Sequence, residues 1–364
     1  MMKKITPIFL SVILAAAVLL PAHAGERPAP VRAAFIQLNP ELAGRGPQWW
    51  DGLFSRIAGA GIREVIVQYL AEGLGEEAED YLPLLEKIFP AAEAHGVDLI
   101  LGLEHDPGYW VEITAPEKVL RDYFLLRAAR NLKLQNRLLE LYGSRASWTG
   151  YYIPDEIDDL SWRDPSRREL AGDYLRLLAS RLREADPGRA ISVSAFFRGR
   201  TEPDLAAGNL FGLVGDSGDL VLLQDGQGGG DPPPEVLPLY YRAFLERRPR
   251  GERPRLAPVV EVFEETTGPE GKFSARPAAP GAVEERLRAA AVFPEICIFS
   301  FAAYADPEKD GRAAAVYDTL IRNQPGPRAT PARRSDPPDL SDSSDRSGEQ
   351  SSDPNVSVKP GAEK

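Results

Sequence analysis

The sequence predicts a single (β/α)8 barrel, and three observations carry that prediction. Eight short apolar runs lie between residues 31 and 301, nearly continuous rather than alternating, as strands covered on both faces read. Stretches with helical spacing separate them. No GxGxxG turn follows the first run, which weighs against the alternative, a doubly wound open sheet.

The elements follow in order. Ahead of the first run, Lys3 and Lys4 precede an apolar stretch, Ile8 to Leu20, then Pro21 and the small residues of Ala22-His23-Ala24. The stretch is too short to span a bilayer and reads as a secretory signal peptide over residues 1–24. Export to the periplasm or the medium is therefore expected, with no integral membrane span after cleavage. The barrel is assigned to residues 25–324. Its expected strands are Val31–Leu38, Glu64–Tyr69, Val97–Leu103, Trp148–Ile153, Ala190–Phe197, Asp219–Leu223, Pro258–Phe263 and Glu295–Phe301. The expected helices are Pro47–Ala60, Glu77–Ala94, Pro116–Tyr142, Ser166–Glu184, Glu202–Gly218, Pro234–Glu246, Ala282–Val292 and Asp310–Arg322. Gly61, His95-Gly96, Gly143 and Asp186-Pro187-Gly188 supply stop signals. From residue 325 to 364 the chain is Pro, Ser, Asp, Arg and Gly with few apolar residues, and reads as a disordered tail.

Composition narrows the chemistry. Hydrophobic residues make up 43% of the chain, enough for a substantial core. The formal charge of −11 argues against nucleic acid and anionic membrane as partners. Cys297 is the single cysteine, so no internal disulfide can form. With three histidines, one of them in the leader, a zinc site or a Ser-His-Asp triad has little to draw on. No metal and no other cofactor is expected. Carboxylates must carry the acid–base chemistry.

Catalytic groups of (β/α)8 enzymes gather at the carboxyl ends of the strands. Those ends carry amides, carboxylates and aromatics with few basic groups. Such a set suits a carbohydrate, whose hydroxyls pair with amides and carboxylates and whose ring faces lie on aromatic side chains. The candidate substrate-binding residues are Gln37, Gln68, Glu104, His105, Tyr109, Trp110, Tyr152, Asp155, Asp158, Ser194, Phe197, Gln224, Asp225 and Tyr304. Glu156 and Glu261 are the candidate catalytic pair, at the ends of the fourth and seventh runs. Glycoside cleavage needs two carboxyl groups flanking the bond, about 5–5.5 Å apart if configuration is retained. Glu261 lies inside Val259-Val260-Glu261-Val262-Phe263, where an acid is costly unless it faces a polar lumen, and this favours it over Glu264.

At these positions the chain resembles a family. The segments Phe35-Ile36-Gln37, Val65-Ile66-Val67-Gln68, Leu101-Gly102-Leu103, Gly150-Tyr151-Tyr152-Ile153-Pro154-Asp155-Glu156-Ile157-Asp158, Leu223-Gln224-Asp225-Gly226 and Val260-Glu261-Val262-Phe263 look like domain of unknown function 4434. The resemblance covers residues 31 to 322 and is most specific at the Gly150–Asp158 segment. It implies a glycoside-hydrolase-like TIM barrel with Glu156 and Glu261 on the site positions, and no particular substrate. Many fourth-strand acids of glycosidases follow an Asn; here Asp155 stands there, and its charge would raise a neighbouring pKa. Three readings stay open at this point: a retaining glycoside hydrolase, a non-catalytic carbohydrate-binding or envelope scaffold protein on the same barrel, and a metal-dependent hydrolase built on Glu104, His105 and Asp106.

Overall fold

The computed structural model describes residues 29–73, 79–251, 253–267 and 273–324; the expected signal peptide and tail lie outside the described residues. Eight parallel strands close into a barrel: β1 (Val31–Ile36), β2 (Glu64–Val67), β3 (Asp98–Gly102), β4 (Trp148–Asp158), β5 (Ala190–Phe196), β6 (Leu220–Gln224), β7 (Arg255–Glu261) and β8 (Ile296–Phe299). Each pairs with its sequence neighbours, and β8 closes onto β1. The helices between them are α1 (Pro47–Gly59), α2 (Leu85–Ala94), α3 (Glu117–Tyr142), α4 (Pro165–Ala185), α5 (Pro203–Val214), α6 (Leu237–Arg247), α7 (Pro280–Ala290) and α8 (Gly311–Arg322). The expected barrel is thus present, with every expected strand and helix represented.

The local reasons are ordinary chemistry. Asp164 and Asp310 cap α4 and α8, each accepting from two backbone N–H groups. Gly96 ends α2 at φ +62°, a conformation that favours glycine. Two apolar layers result. Phe35, Ile66, Ile100, Tyr152, Leu222 and Val259 fill the barrel lumen, and a larger layer packs the strands against the helices.

Three of the differences from the expected boundaries have a clear local cause. Helix α2 begins at Leu85, not Glu77. Asp80 accepts the Leu82 N–H at 3.1 Å and the chain turns through a 3-10 segment, Leu82–Leu84, after Glu79–Asp80 has paired with Ala71–Glu72. Strand β4 runs on to Asp158 because it bulges. Between its pairings Ile153 to Val193 and Ile157 to Ala195, four steps of β4 face two of β5. Strand β7 stops at Glu261, and the apolar run continues as an antiparallel hairpin, Phe263–Thr267 with Phe273–Pro277. No helix among the described residues is long and apolar enough to cross a membrane.

Candidate active site at the carboxyl end of the barrel

Glu156 sits in the β4 bulge. A regular strand would alternate its side chains between lumen and helix layer; the extra residues re-aim the carboxylate at the rim. Two contacts fix it. The Gln224 side-chain amide, from the end of β6, donates to Glu156 Oε1 at 2.6 Å, and the Tyr109 hydroxyl donates to the Glu156 backbone carbonyl at 2.9 Å. Burial raises the Glu156 pKa, the Gln224 hydrogen bond opposes that rise, and the charge of Asp158 adds to it.

Across the same cleft, of about 290 Å³, stands Glu261, with Phe196, Arg198, Gln224 and the hairpin residues Phe263 and Phe273 also lining it. The Gly228 backbone N–H donates to Glu261 Oε2 at 2.6 Å. A side chain at Gly228 would put its Cβ 2.5 Å from the Phe263 ring and 2.7 Å from Glu261 Oε2, so only glycine permits this approach. Asp225 lies beneath, fully buried. One of its oxygens accepts from the backbone N–H groups of Gln227 and Glu261 at 3.1 and 3.2 Å, and the other has no partner among the described residues. Burial, with Asp225 next, pushes Glu261 up to about 8, and burial pushes Asp225 up to about 7. Arg286 from α7 ties the arrangement together, donating to the carbonyls of Glu261, Phe263 and Gln227.

Asp155 and Glu104 are turned away from this cleft. Arg127 of α3, fully buried, donates to Asp155 Oδ1 at 2.8 Å and to the Glu104 carbonyl at 2.5 Å; Tyr174 donates to the other Asp155 oxygen. Glu104 is gripped by Arg130, which donates from Nε to both its oxygens at 2.8 Å. This corrects the expectation that Asp155 raises the pKa of its neighbour: its charge faces Arg127, and the carboxylate acting on Glu156 is Asp158.

The remaining sequence candidates divide. Trp110, half-exposed, stands edge-on to Phe196 at 5.5 Å and so borders the cleft. Tyr304 stacks on Phe263 at 5.1 Å. Tyr152 is buried in the lumen and donates to Ser194 at 2.8 Å. Asp158 is nearly buried and accepts the Ser161 N–H at 2.8 Å. Gln37 donates to the Tyr69 hydroxyl at 3.3 Å, Tyr69 stacks on His105, and Gln68 keeps a buried oxygen without a partner, all on the rim at β1 to β3. Burial lowers the His105 pKa. Phe197 is a correction. It is buried in the helix layer, stacked 4.3 Å from Tyr240, while Phe196 lines the cleft. Glu264 lies on the hairpin, accepting from Arg276 and the Ala279 N–H, and does not line the cleft of Glu156 and Glu261.

For the metal reading, Asp106 accepts from Tyr123 and from the Gly108 N–H, both at 2.8 Å, Glu104 is held by arginine, and His105 stacks on Tyr69. Among the described residues no three such side chains converge. Sequence reasoning also missed Gly228, Arg286 and Phe273. Strand alternation from Ser192 and Ser194 gives Phe196; Gly228 reaches the site from a loop, Phe273 from the hairpin and Arg286 from α7, and no local spacing announces them.

Fold and rim together define a (β/α)8 barrel with two carboxylates facing one cleft at the carboxyl end of its strands. The chain belongs to the family described as Domain of unknown function (DUF4434), whose profile matches residues 33–310. An uncharacterized protein, YbcH, of Escherichia coli (strain K12) is 29% identical over 228 residues, which is 63% of this chain and 74% of that protein. Among solved structures, a "putative alpha-L-fucosidase" from Bacteroides thetaiotaomicron superposes with a TM-score of 0.63 at 15% identity, over 87% of this chain and 99% of that one. A beta-galactosidase from Marinomonas ef1 gives 0.52 at 11% identity over 80% and 59%. The Bacillus cereus spore cortex-lytic enzyme SleL gives 0.51 at 11% over 83% and 76%. These likenesses establish the barrel.

Proposed function

We propose that the protein is an exported retaining glycoside hydrolase, with Glu156 as general acid/base and Glu261 as nucleophile. The observation that carries the reading is that both carboxyl groups line one cleft at the ends of β4 and β7, with the pKa of Glu156 raised by burial as suits a general acid. Protonated Glu156 gives its proton to the glycosidic oxygen as the bond from the anomeric carbon breaks. Ionised Glu261 attacks that carbon and forms an ester. Glu156, now ionised, takes a proton from water, and that water attacks the same carbon and releases Glu261. Gln224 keeps Glu156 in place for both proton transfers. The half-exposed Trp110 and the exposed Phe273 offer faces for sugar rings.

A second reading, a carbohydrate-binding protein without turnover, draws on one observation: a nucleophile pushed up to about 8 stays protonated at neutral pH. Glu156→Gln separates the two. Assayed on a broad glycan panel, a hydrolase loses about 10²–10⁴-fold in turnover on this substitution and keeps its affinity for sugar. A parent protein that binds a glycan and cleaves none supports the second reading. Export is supported by the Lys3-to-Ala24 pattern; mass spectrometry finding a mature N-terminus elsewhere than near Gly25, or an uncleaved chain, would count against it.

A further inference from the structure

A second hollow opens on the same end of the barrel. It holds about 460 Å³ and lies between the segment following β1 (Gln37, Asn39), the first turn of α1 (Trp49) and the segment following β8 (Ala302, Ala303). Its volume is that of an ordinary ligand site, and it exceeds the cleft that holds Glu156 and Glu261. The two hollows meet at Tyr304, whose ring stacks on Phe263 of the first and has Lys309 of the second 5.7 Å from its centroid.

The lining is of a kind that recognises hydroxyls and a ring face. Trp49 supplies an aromatic surface, with the Arg45 guanidinium 5.4 Å from its ring. Gln37 uses its NH2 on Tyr69, so its carbonyl oxygen has no bond among the described residues. Asn39 uses its carbonyl oxygen on the Leu42 N–H, so its NH2 has none. An acceptor and a donor thus remain beside the tryptophan. The charges cancel locally: Arg45 pairs with Glu41 at 2.7 Å, and Arg56 pairs with Asp306 at 2.7 Å and Glu308 at 3.0 Å. Lys309 is bound to a backbone carbonyl, that of Ala303, at 2.7 Å. A uronic acid or sulfated sugar would therefore meet little net positive field, on a chain that carries −11 overall.

We propose that the hollow between β1 and β8 is a second sugar-binding site, and that the ligand is an uncharged polysaccharide crossing the barrel mouth from Glu156 past Tyr304 to Trp49. The inference rests on the reading that sugar occupies the cleft of Glu156 and Glu261, and it adds that a single residue or a disaccharide does not fill the mouth.

Affinity electrophoresis tests it. The full chain, Glu156→Gln, Trp49→Ala and Gln37→Ala are run through native gels containing barley β-glucan, linear xylan, galactomannan, alginate or polygalacturonate, with thermal melting to show that each variant is folded. The expected result is retardation of the parent chain and of Glu156→Gln by a neutral polymer. Trp49→Ala should then bind that polymer about tenfold more weakly or worse, and Gln37→Ala should bind it more weakly. Hydrolysis of a glycan together with undiminished retardation of both hollow variants would overturn the second site and leave the hydrolase reading standing. Retardation that depends on Trp49 without any cleavage would do the reverse. Stronger retardation by alginate or polygalacturonate than by every neutral polymer, or no retardation by any of the five, overturns the inference.

Discussion

Glu261 and Asp225 hold a proton into the neutral range, and that has two measurable consequences. A proton bound more tightly by the folded chain than by the unfolded one favours folding below the unfolded pKa, near 4, and ceases to do so as pH rises through 7 to 8. The melting temperature should therefore fall between pH 5 and pH 8. Glu261→Gln, which cannot ionise, should flatten that fall; a melting temperature that climbs over the same range would contradict the assignment. For catalysis the dependence runs the other way, because only the ionised nucleophile attacks. The acid limb of kcat/KM should lie near pH 7–8, above the usual range for a carboxylate, and Asp225→Asn should move it to lower pH by removing the neighbouring charge. Arg127 bears on stability instead. Arg127→Met leaves the Asp155 carboxylate buried without its partner and should cost about 3–5 kcal/mol in equilibrium unfolding. A loss under about 1 kcal/mol would mean the pair is not closed in solution.

At the scale of elements, the site depends on irregularity. The β4 bulge delivers Glu156 to the rim, and the loop after β6 brings the Gly228 amide to Glu261. Gly228→Ala should lower kcat/KM by about tenfold or more with little change in far-UV circular dichroism, since its methyl would displace Phe263 or Glu261. Unchanged kinetics would show that the loop does not position the carboxylate. These features also mark where the sequence ran out. Apolar runs and glycine stops located the strands, and the position just past the fourth run pointed to Glu156. A bulge, by contrast, is a mismatch between two strands, so nothing in Trp148–Asp158 alone reveals it. The same limit hid Asp155's partner, 28 residues back on α3, and Arg286, which meets Glu261 from 25 residues further along the chain. At the end of β5 it is Phe196 rather than Phe197 that reaches the cleft, because Ser194, two residues before Phe196, faces the lumen and side chains alternate along the strand.

For the whole molecule, barrel closure explains why eight unremarkable runs sufficed to read the fold. The middle of each strand is buried on both faces, so each run is mainly apolar, and strands alternate with helices around the closed barrel. Cys297 reports on that closure. It lies in the lumen with no exposed surface, and it is the only cysteine in the chain. Ellman's reagent should modify it no faster than the protein unfolds; rapid reaction under native conditions would mean that the lumen opens. The proposed chemistry is tested most directly at the ester it requires. Incubation with a panel of 2-deoxy-2-fluoroglycosyl fluorides, followed by mass spectrometry of the digested protein, should find one sugar attached to the peptide that contains Glu261, with Glu261→Gln unlabelled. A sugar attached to any other residue, or a cleaved natural glycan whose first-formed product has inverted configuration, would contradict it.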